Sequence, residues 1–225
     1  MAAEPELTVR ARLWDAPVRL VHWSLVLLIG FSWWSAETER LQWHRWSGYA
    51  ILGLVMFRLM WGLWGSANAR FASFVKGPGA TLAYLRSLPG RAPADTPGHN
   101  PLGAWSVVAI LLLLVFQVAT GLFAVDIDAF EAGPLSDRVS FETGRAISEL
   151  HEASFTVLQI LVAVHVAAVG FYLAWKRSNL IGPMITGYRR VAADPKLTFA
   201  PWWKVLATAV AAAAIAWILS KGLRL

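Results

Sequence analysis

Apolar residues run along this chain in five blocks, each near the roughly 20 residues an α-helix needs to cross a bilayer core of about 30 Å. The blocks span about 17–36, 44–64, 102–125, 148–175 and 201–220, and the third, LGAWSVVAILLLLVFQVATGLFAV, is the most uniformly apolar. They predict an all-α integral membrane protein: a four-helix bundle followed by a fifth, C-terminal transmembrane helix. The connections differ in character. Residues 37–43 predict a short turn. Residues 65–101 predict a long loop rich in Gly and Pro, within which TLAYLRSL reads as a short helix on the membrane surface. Residues 126–147 are acidic and residues 176–200 basic. The expected division is a bundle over 1–190, then a basic linker with the last helix over 191–225.

Composition supports a membrane reading. Of 225 residues, 57% are hydrophobic and only 15% charged, low for a soluble domain of this size. Thirteen Trp suit a protein with two membrane–water interfaces. The N-terminus carries Glu4, Glu6, Arg10 and Arg12 with no short apolar core and cleavage site behind them, so no cleavable signal peptide is expected. The absence of Cys excludes thiolate-bound iron–sulfur clusters, covalent haem and disulfides. Redox ligands, if present, must be His or Met.

The net charge of +6 is segregated. With the N-terminus in the cytoplasm, thirteen Lys and Arg fall inside, from Arg10 to Lys204, and six fall outside: Arg40, Arg45, Arg138, Arg145, Lys221 and Arg224. That is a positive-inside pattern for a bacterial cytoplasmic membrane, and it removes the case for nucleic-acid binding.

Four of the five histidines, His22, His44, His151 and His165, lie in or at the edge of predicted spans, where ionisable groups are costly. One isolated histidine there reads equally well as polar glue between helices. The spacing of the four decides otherwise. His151 and His165 are 14 residues apart on one helix, about 21 Å along its axis and about 40° apart around it. Alternating helix directions then place His44 beside His151 near the outer face, and His22 beside His165 near the inner face. Facing imidazoles at two depths suit two bis-His, non-covalent haem b groups, a conducting path for the electrons of a quinol. Zinc would need about four ligands together, and these fall in two layers.

Arg58 lies 14 residues after His44, on the same face and one layer deeper. It is expected to pair with a haem propionate, the alternative being a side chain that snorkels to water. Arg45 and Arg19, one and three residues from candidate ligands, carry the same suggestion. His99 sits in GHNPLG, where a loop histidine is ordinarily solvated, although a place beside quinone or propionate is open to it. Candidate quinone groups are Asp15, Arg19, His99 and Asn100 at the inner layer, and Ser47, Glu149 and Glu152 at the outer.

The stretches WDAPVRLVHW (14–23), HRWSGYAILGLVMFRLMWGLWG (44–65), ARFASFVKGP (69–78), GHNPLG (98–103), LHE (150–152), HVAAVGFY (165–172) and SNLIGPMITG (178–187) together resemble the bacterial cytochrome b561 family. The resemblance is to the branch similar to the cytochrome b subunit of nickel–iron hydrogenases. It implies a di-haem b membrane protein exchanging electrons with the quinone pool, with His22, His44, His151 and His165 as ligands. KRSN at 176–179 departs from the His-Arg-Glu-Asn form associated with that region. Residues 201–220 add a segment beyond the four helices at which family members often stop. The resemblance leaves several partners open: a hydrogenase, a cytochrome c, or superoxide in a superoxide–quinone oxidoreductase. The expected outer face holds nine acidic residues against six basic ones, which favours docking of a basic redox protein such as a cytochrome c and counts against collecting an anion. A reading of another class is a haem-containing anchor subunit without catalysis of its own. A haem-free transporter is less well supported, since no inverted repeat or broken helix is evident.

Overall fold

A computed structural model describes residues 8–90, 98–126 and 131–224. The elements in chain order are β1 (Val9–Arg12), α1 (Ala16–Glu37), α2 (Leu41–Trp64), α3 (Phe71–Phe74), α4 (Pro78–Ser87), α5 (Pro101–Phe123), α6 (Phe141–Ala174), α7 (Ile181–Thr186), β2 (Tyr188–Val191) and α8 (Trp202–Ser220). Five of these helices, α1, α2, α5, α6 and α8, are long and apolar enough to span a membrane. Glu4, Glu6, Arg91 and Asp128, used in the charge reading, lie outside the described residues.

Three of the long helices, α1, α5 and α6, start where the sequence supplies a side-chain cap. Asp15 accepts the Val18 N–H at 2.9 Å, and Pro17 follows at the first turn of α1. Asn100 caps α5 by accepting the Gly103 N–H at 2.7 Å, with Pro101 next. Ser140 caps α6 by accepting from Thr143, and Glu142 sits in the first turn, where negative charge is favoured. That cap explains one difference from expectation. The helix begins at Phe141 rather than near 148, so the last part of the expected acidic loop is helical and projects beyond the apolar stretch. Likewise α2 starts at Leu41 rather than 44, and the turn is confined to residues 38–40.

The helices lie in the order α1–α2–α5–α6, and α8 packs along the other side of α2. The expected surface helix is present as α4, inside a long connection that also contains α3. Phe71 of α3 lies so flat against α2 that a Cβ at Gly62 would sit 2.1 Å from its ring. Side chains on α8 meet α2 closely: Trp64 donates its indole N–H to Thr208 at 3.0 Å, and Ala216 approaches Gly53.

The basic segment 176–200 is not a plain linker. Its β2 pairs antiparallel with β1, in the register Arg10↔Arg190 and Arg12↔Tyr188. The ribbon is pinned to the foot of α1 because the Leu13 and Trp14 N–H groups both donate to the carbonyl of Gly187, at 2.8 and 3.2 Å. Gly187 ends α7 at φ +86, and a side chain there would meet the Trp14 carbonyl at 2.9 Å. We call this the ribbon end of the bundle, and the other the far end.

Beneath the ribbon lies the best-packed part of the molecule. Leu13, Val55 and Trp61 are essentially inaccessible, and Phe57 stacks on Trp61. Asp15 ties this region together, capping α1 with one oxygen and accepting the Trp61 indole N–H at 2.8 Å with the other. His99 completes it. Its ring lies against Trp14 and Phe74, with centroids 4.7 and 4.4 Å away, and its Nδ1 is enclosed without a hydrogen-bond partner. The expectation of a solvated loop histidine is therefore corrected: the Gly98–Asn100 turn folds the ring inward onto aromatic side chains.

Asp15→Ala removes a helix cap and strands a buried indole N–H, and is expected to destabilise the protein by about 2–4 kcal/mol, read by SDS titration of helicity. Burial first, then the charges of Arg58 and His165, push the His99 imidazole down to about 3. An unfolded chain binds that proton from near pH 6.5 downward and the folded one does not, so stability falls as pH drops from about 6.5 towards about 3. His99→Gln is expected to lessen the loss of stability between about pH 7.5 and pH 5 by on the order of 1–2 kcal/mol, measured as thermal midpoints.

Candidate functional site

The four histidines gather in two layers, paired as the spacing predicts. At the far end His44 of α2 faces His151 of α6, with ring centroids 6.0 Å apart and planes at 88°. At the ribbon end His22 of α1 faces His165 of α6, at 6.4 Å and 54°. The helices that bring these rings together barely touch. α6 packs along α5 and stands off from α1 and α2, so the rings meet across a slot rather than within a packed interface.

The far layer shows how its rings are oriented. His44 Nδ1 lies 2.9 Å from the Ser32 carbonyl and 3.1 Å from the Ser32 hydroxyl. His151 Nδ1 lies 3.0 Å from the Gln117 carbonyl and 3.1 Å from the Thr120 hydroxyl. A carbonyl only accepts, so each Nδ1 carries the proton and donates. Each Nε2 then carries the lone pair, the form of imidazole that binds a metal. Gln117 meets that lone pair on His151 with its side-chain amide at 3.1 Å, while its amide oxygen accepts from Ser154.

A cavity of about 610 Å³ opens between these rings, within the range of cofactor pockets. Two glycines shape it. Gly48, one turn from His44, has open space where a side chain would go. At Gly121 a Cβ would stand 3.0 Å from His151 Cε1, so its absence lets the imidazole lie against α5. Two imidazoles bound to one metal, at about 2 Å per bond and about 1 Å from nitrogen to ring centre, have centroids roughly 6 Å apart. Both observed spacings match. The spacing is one at which each pair of imidazoles would hold a single metal-centred group between them. The ribbon-end layer adds a further sign: His22 Nδ1 is buried with no partner. Among the described residues, no three His or carboxylate side chains converge as zinc would require.

The arginines divide. Arg58 is only 6% exposed and does not snorkel to water: it donates to the Ala69 carbonyl at 3.2 Å, its guanidinium 5.0 Å from the Phe71 ring. Arg19 donates to the Ile185 carbonyl, and its Nε is enclosed without a partner. Arg45 lies on the rim of the far cavity, 2.7 Å from Glu131. Several candidate quinone groups have other work: Asp15 and Asn100 cap helices, Asn100 also donates to Tyr172 at 3.0 Å, and Ser47 donates to the His44 carbonyl.

The acidic far face is partly self-neutralised. Glu131 pairs with Arg45, and Asp137 with Arg224 and Arg138. The Arg224 hydrogen bond, foremost, holds the Asp137 carboxyl below the usual range. Glu37, Glu39 and Glu152 remain around the cavity mouth. Sequence reasoning missed Ser32, Gln117 and Thr120, whose roles run largely through backbone carbonyls. It also missed Gly48 and Gly121, although a glycine one turn from a candidate ligand in an apolar span is a findable signal.

No curated protein and no solved structure matches the chain. A family model described as prokaryotic cytochrome b561 matches residues 13–187, a stretch that includes both histidine layers and ends at the glycine pinning the ribbon. With most of its length matched, the chain belongs to the prokaryotic cytochrome b561 family, membrane cytochromes that carry b-type haem in electron transfer.

Proposed function

We propose that this chain holds two b-type haems, one between His44 and His151 and one between His22 and His165, and conducts electrons between the quinone pool and a redox partner outside the membrane. The observation that carries this reading is the pair of imidazole couples, each about 6 Å apart across a slot that helix packing leaves open. Bound there, the haems would supply one-electron carriers at two depths, about 21 Å apart along α6.

The chain's own residues do the rest. Ser32 and Gln117 carbonyls fix the tautomer and turn of the far imidazoles, which raises their basicity as ligands. Gly48 and Gly121 keep the slot clear. Arg58 and Arg19 put guanidinium groups near the ribbon-end layer, and Arg45 puts one at the far rim, where each suits a propionate. The concentration of Lys and Arg at the ribbon end supports placing that end in the cytoplasm. The far end then faces outward, where Glu37, Glu39 and Glu152 line the cavity and suit a basic partner such as a cytochrome c.

Purified protein should contain about two non-covalent haems b per chain by pyridine haemochrome assay. His22→Ala and His165→Ala should lose one of them, and His44→Ala and His151→Ala the other, distinguished by potential. Gly121→Leu should lose only the haem of the His44 layer. Haem-free folded protein, or loss of the same haem from His22→Ala and His44→Ala, sinks the assignment. In spheroplasts, where only the outer face is accessible, electron exchange with a basic cytochrome c should slow steeply with added salt. A rate indifferent to ionic strength, or exchange seen only in inverted vesicles, rules out the outward acidic docking face.

A further inference from the structure

The β1–β2 ribbon is a small structure with an unfavourable charge arrangement. Residues opposite each other in an antiparallel pair share a face, as do residues two apart on one strand. One face therefore carries Arg10, Arg12, Tyr188 and Arg190, all exposed. The other carries Ala11 and Val191, packed into the core, and Arg189, which donates to the Ser178 hydroxyl at 2.9 Å. Arg10 and Arg190 are direct cross-strand partners, with Cα atoms about 4.5–5.5 Å apart in such pairs, and like charges so placed repel. Among the described residues no carboxylate lies within ion-pair distance of Arg10, Arg12 or Arg190, whereas the ion pairs described all lie at the far end.

Nearby aromatic side chains hold the cations in place without neutralising them. The Arg10 guanidinium lies 4.5 Å from the Tyr188 ring centre, and that of Arg12 4.2 Å from Phe199. The depth of the ribbon is also set. Phe199 leads directly into α8, whose first residues Trp202 and Trp203 are 76% and 55% exposed, as residues of an interfacial belt are. The ribbon thus sits at headgroup level, with its arginine face open.

We propose that the exposed face of the β1–β2 ribbon is a binding site for the phosphate of an anionic phospholipid, gripped between Arg10 and Arg190 with Arg12 alongside. Two guanidinium forks at this spacing can share one phosphate through charge-assisted, paired hydrogen bonds. A bound phosphodiester would also relieve the repulsion that the register imposes. The surface is independent of the histidine layers, and the site would keep the ribbon, and with it the foot of α1, against the membrane.

The test uses full-length protein in detergent, with thermal midpoints read by intrinsic fluorescence and light scattering. Phosphatidylglycerol should raise the midpoint more than phosphatidylcholine at equal mole ratio. The Arg10→Gln/Arg190→Gln double variant should lose most of that difference. Without anionic lipid it should melt no lower than the wild type, since a repulsive pair has been removed. Arg10→Lys/Arg190→Lys should retain part of the response, and Arg40→Gln at the far end all of it. Equal effects of the two lipids, an undiminished response in the double variant, or an equal loss in Arg40→Gln would overturn the proposal. So would inorganic phosphate reproducing the effect of phosphatidylglycerol, which would mark a site for free anions rather than for lipid.

Discussion

An imidazole inside hydrocarbon needs something to do with both of its nitrogens, and the arrangement of the bundle follows from meeting that demand in two layers. In the far layer one nitrogen of each ring is committed to a helix carbonyl, which leaves the other as an acceptor, met on His151 by the Gln117 amide. Side-chain polarity alone would draw the helices together until the rings hydrogen-bonded each other. Instead α6 keeps its distance from α1 and α2, and glycines hold space open beside the rings. A membrane protein ordinarily closes such gaps, because its helices associate through close packing rather than through exclusion of water. On the proposed reading, the stand-off is the room that a group shared between these helices would take.

Much of this was legible in the sequence because it depends on periodicity. Five apolar blocks set five spans, and a 14-residue interval puts His151 and His165 on one face of one helix whatever the neighbours do. Alternating helix direction then fixed which histidines share a depth. What escaped was of two kinds. Backbone acceptors such as the Ser32 and Gln117 carbonyls leave no mark on side-chain identity. The ribbon pairs residues far apart in the chain: VRAR alternates for only four residues and YRRV does not alternate, so little that is local announces a strand. Arg58 lies between these cases. Its face and depth follow from its distance to His44, but its removal from water depends on the segment after α2 folding the Ala69 carbonyl and the Phe71 ring over it.

The two ends solve charge differently. At the far end arginines and carboxylates pair within the chain, and Arg45 with Glu131 narrows the rim of the cavity. At the ribbon end cations are held by carbonyls and aromatic faces: Lys176 by the carbonyls of Ser87 and Gly90, Arg58 by Ala69 and Phe71, Arg12 by Phe199. Carbonyls and rings orient a cation but do not cancel it. The ribbon end therefore presents a net positive field at a fixed depth, and the far end a mixed one.

The helix contacts also bear on how such a protein is made. α1 and α2 form one tight hairpin and α5 and α6 another, and the joint between them is the narrower contact of α2 with α5. The first hairpin brings one histidine to each depth, while the second brings both of its histidines on α6. A ribosome inserting this chain releases the first hairpin with neither layer closed, and both layers become closable together once α6 has entered the bilayer. On the proposed reading, cofactor capture is a late event in biogenesis that fastens two preassembled hairpins, and the packing of α6 chiefly along α5 leaves the side door through which the ligand can arrive from the lipid phase.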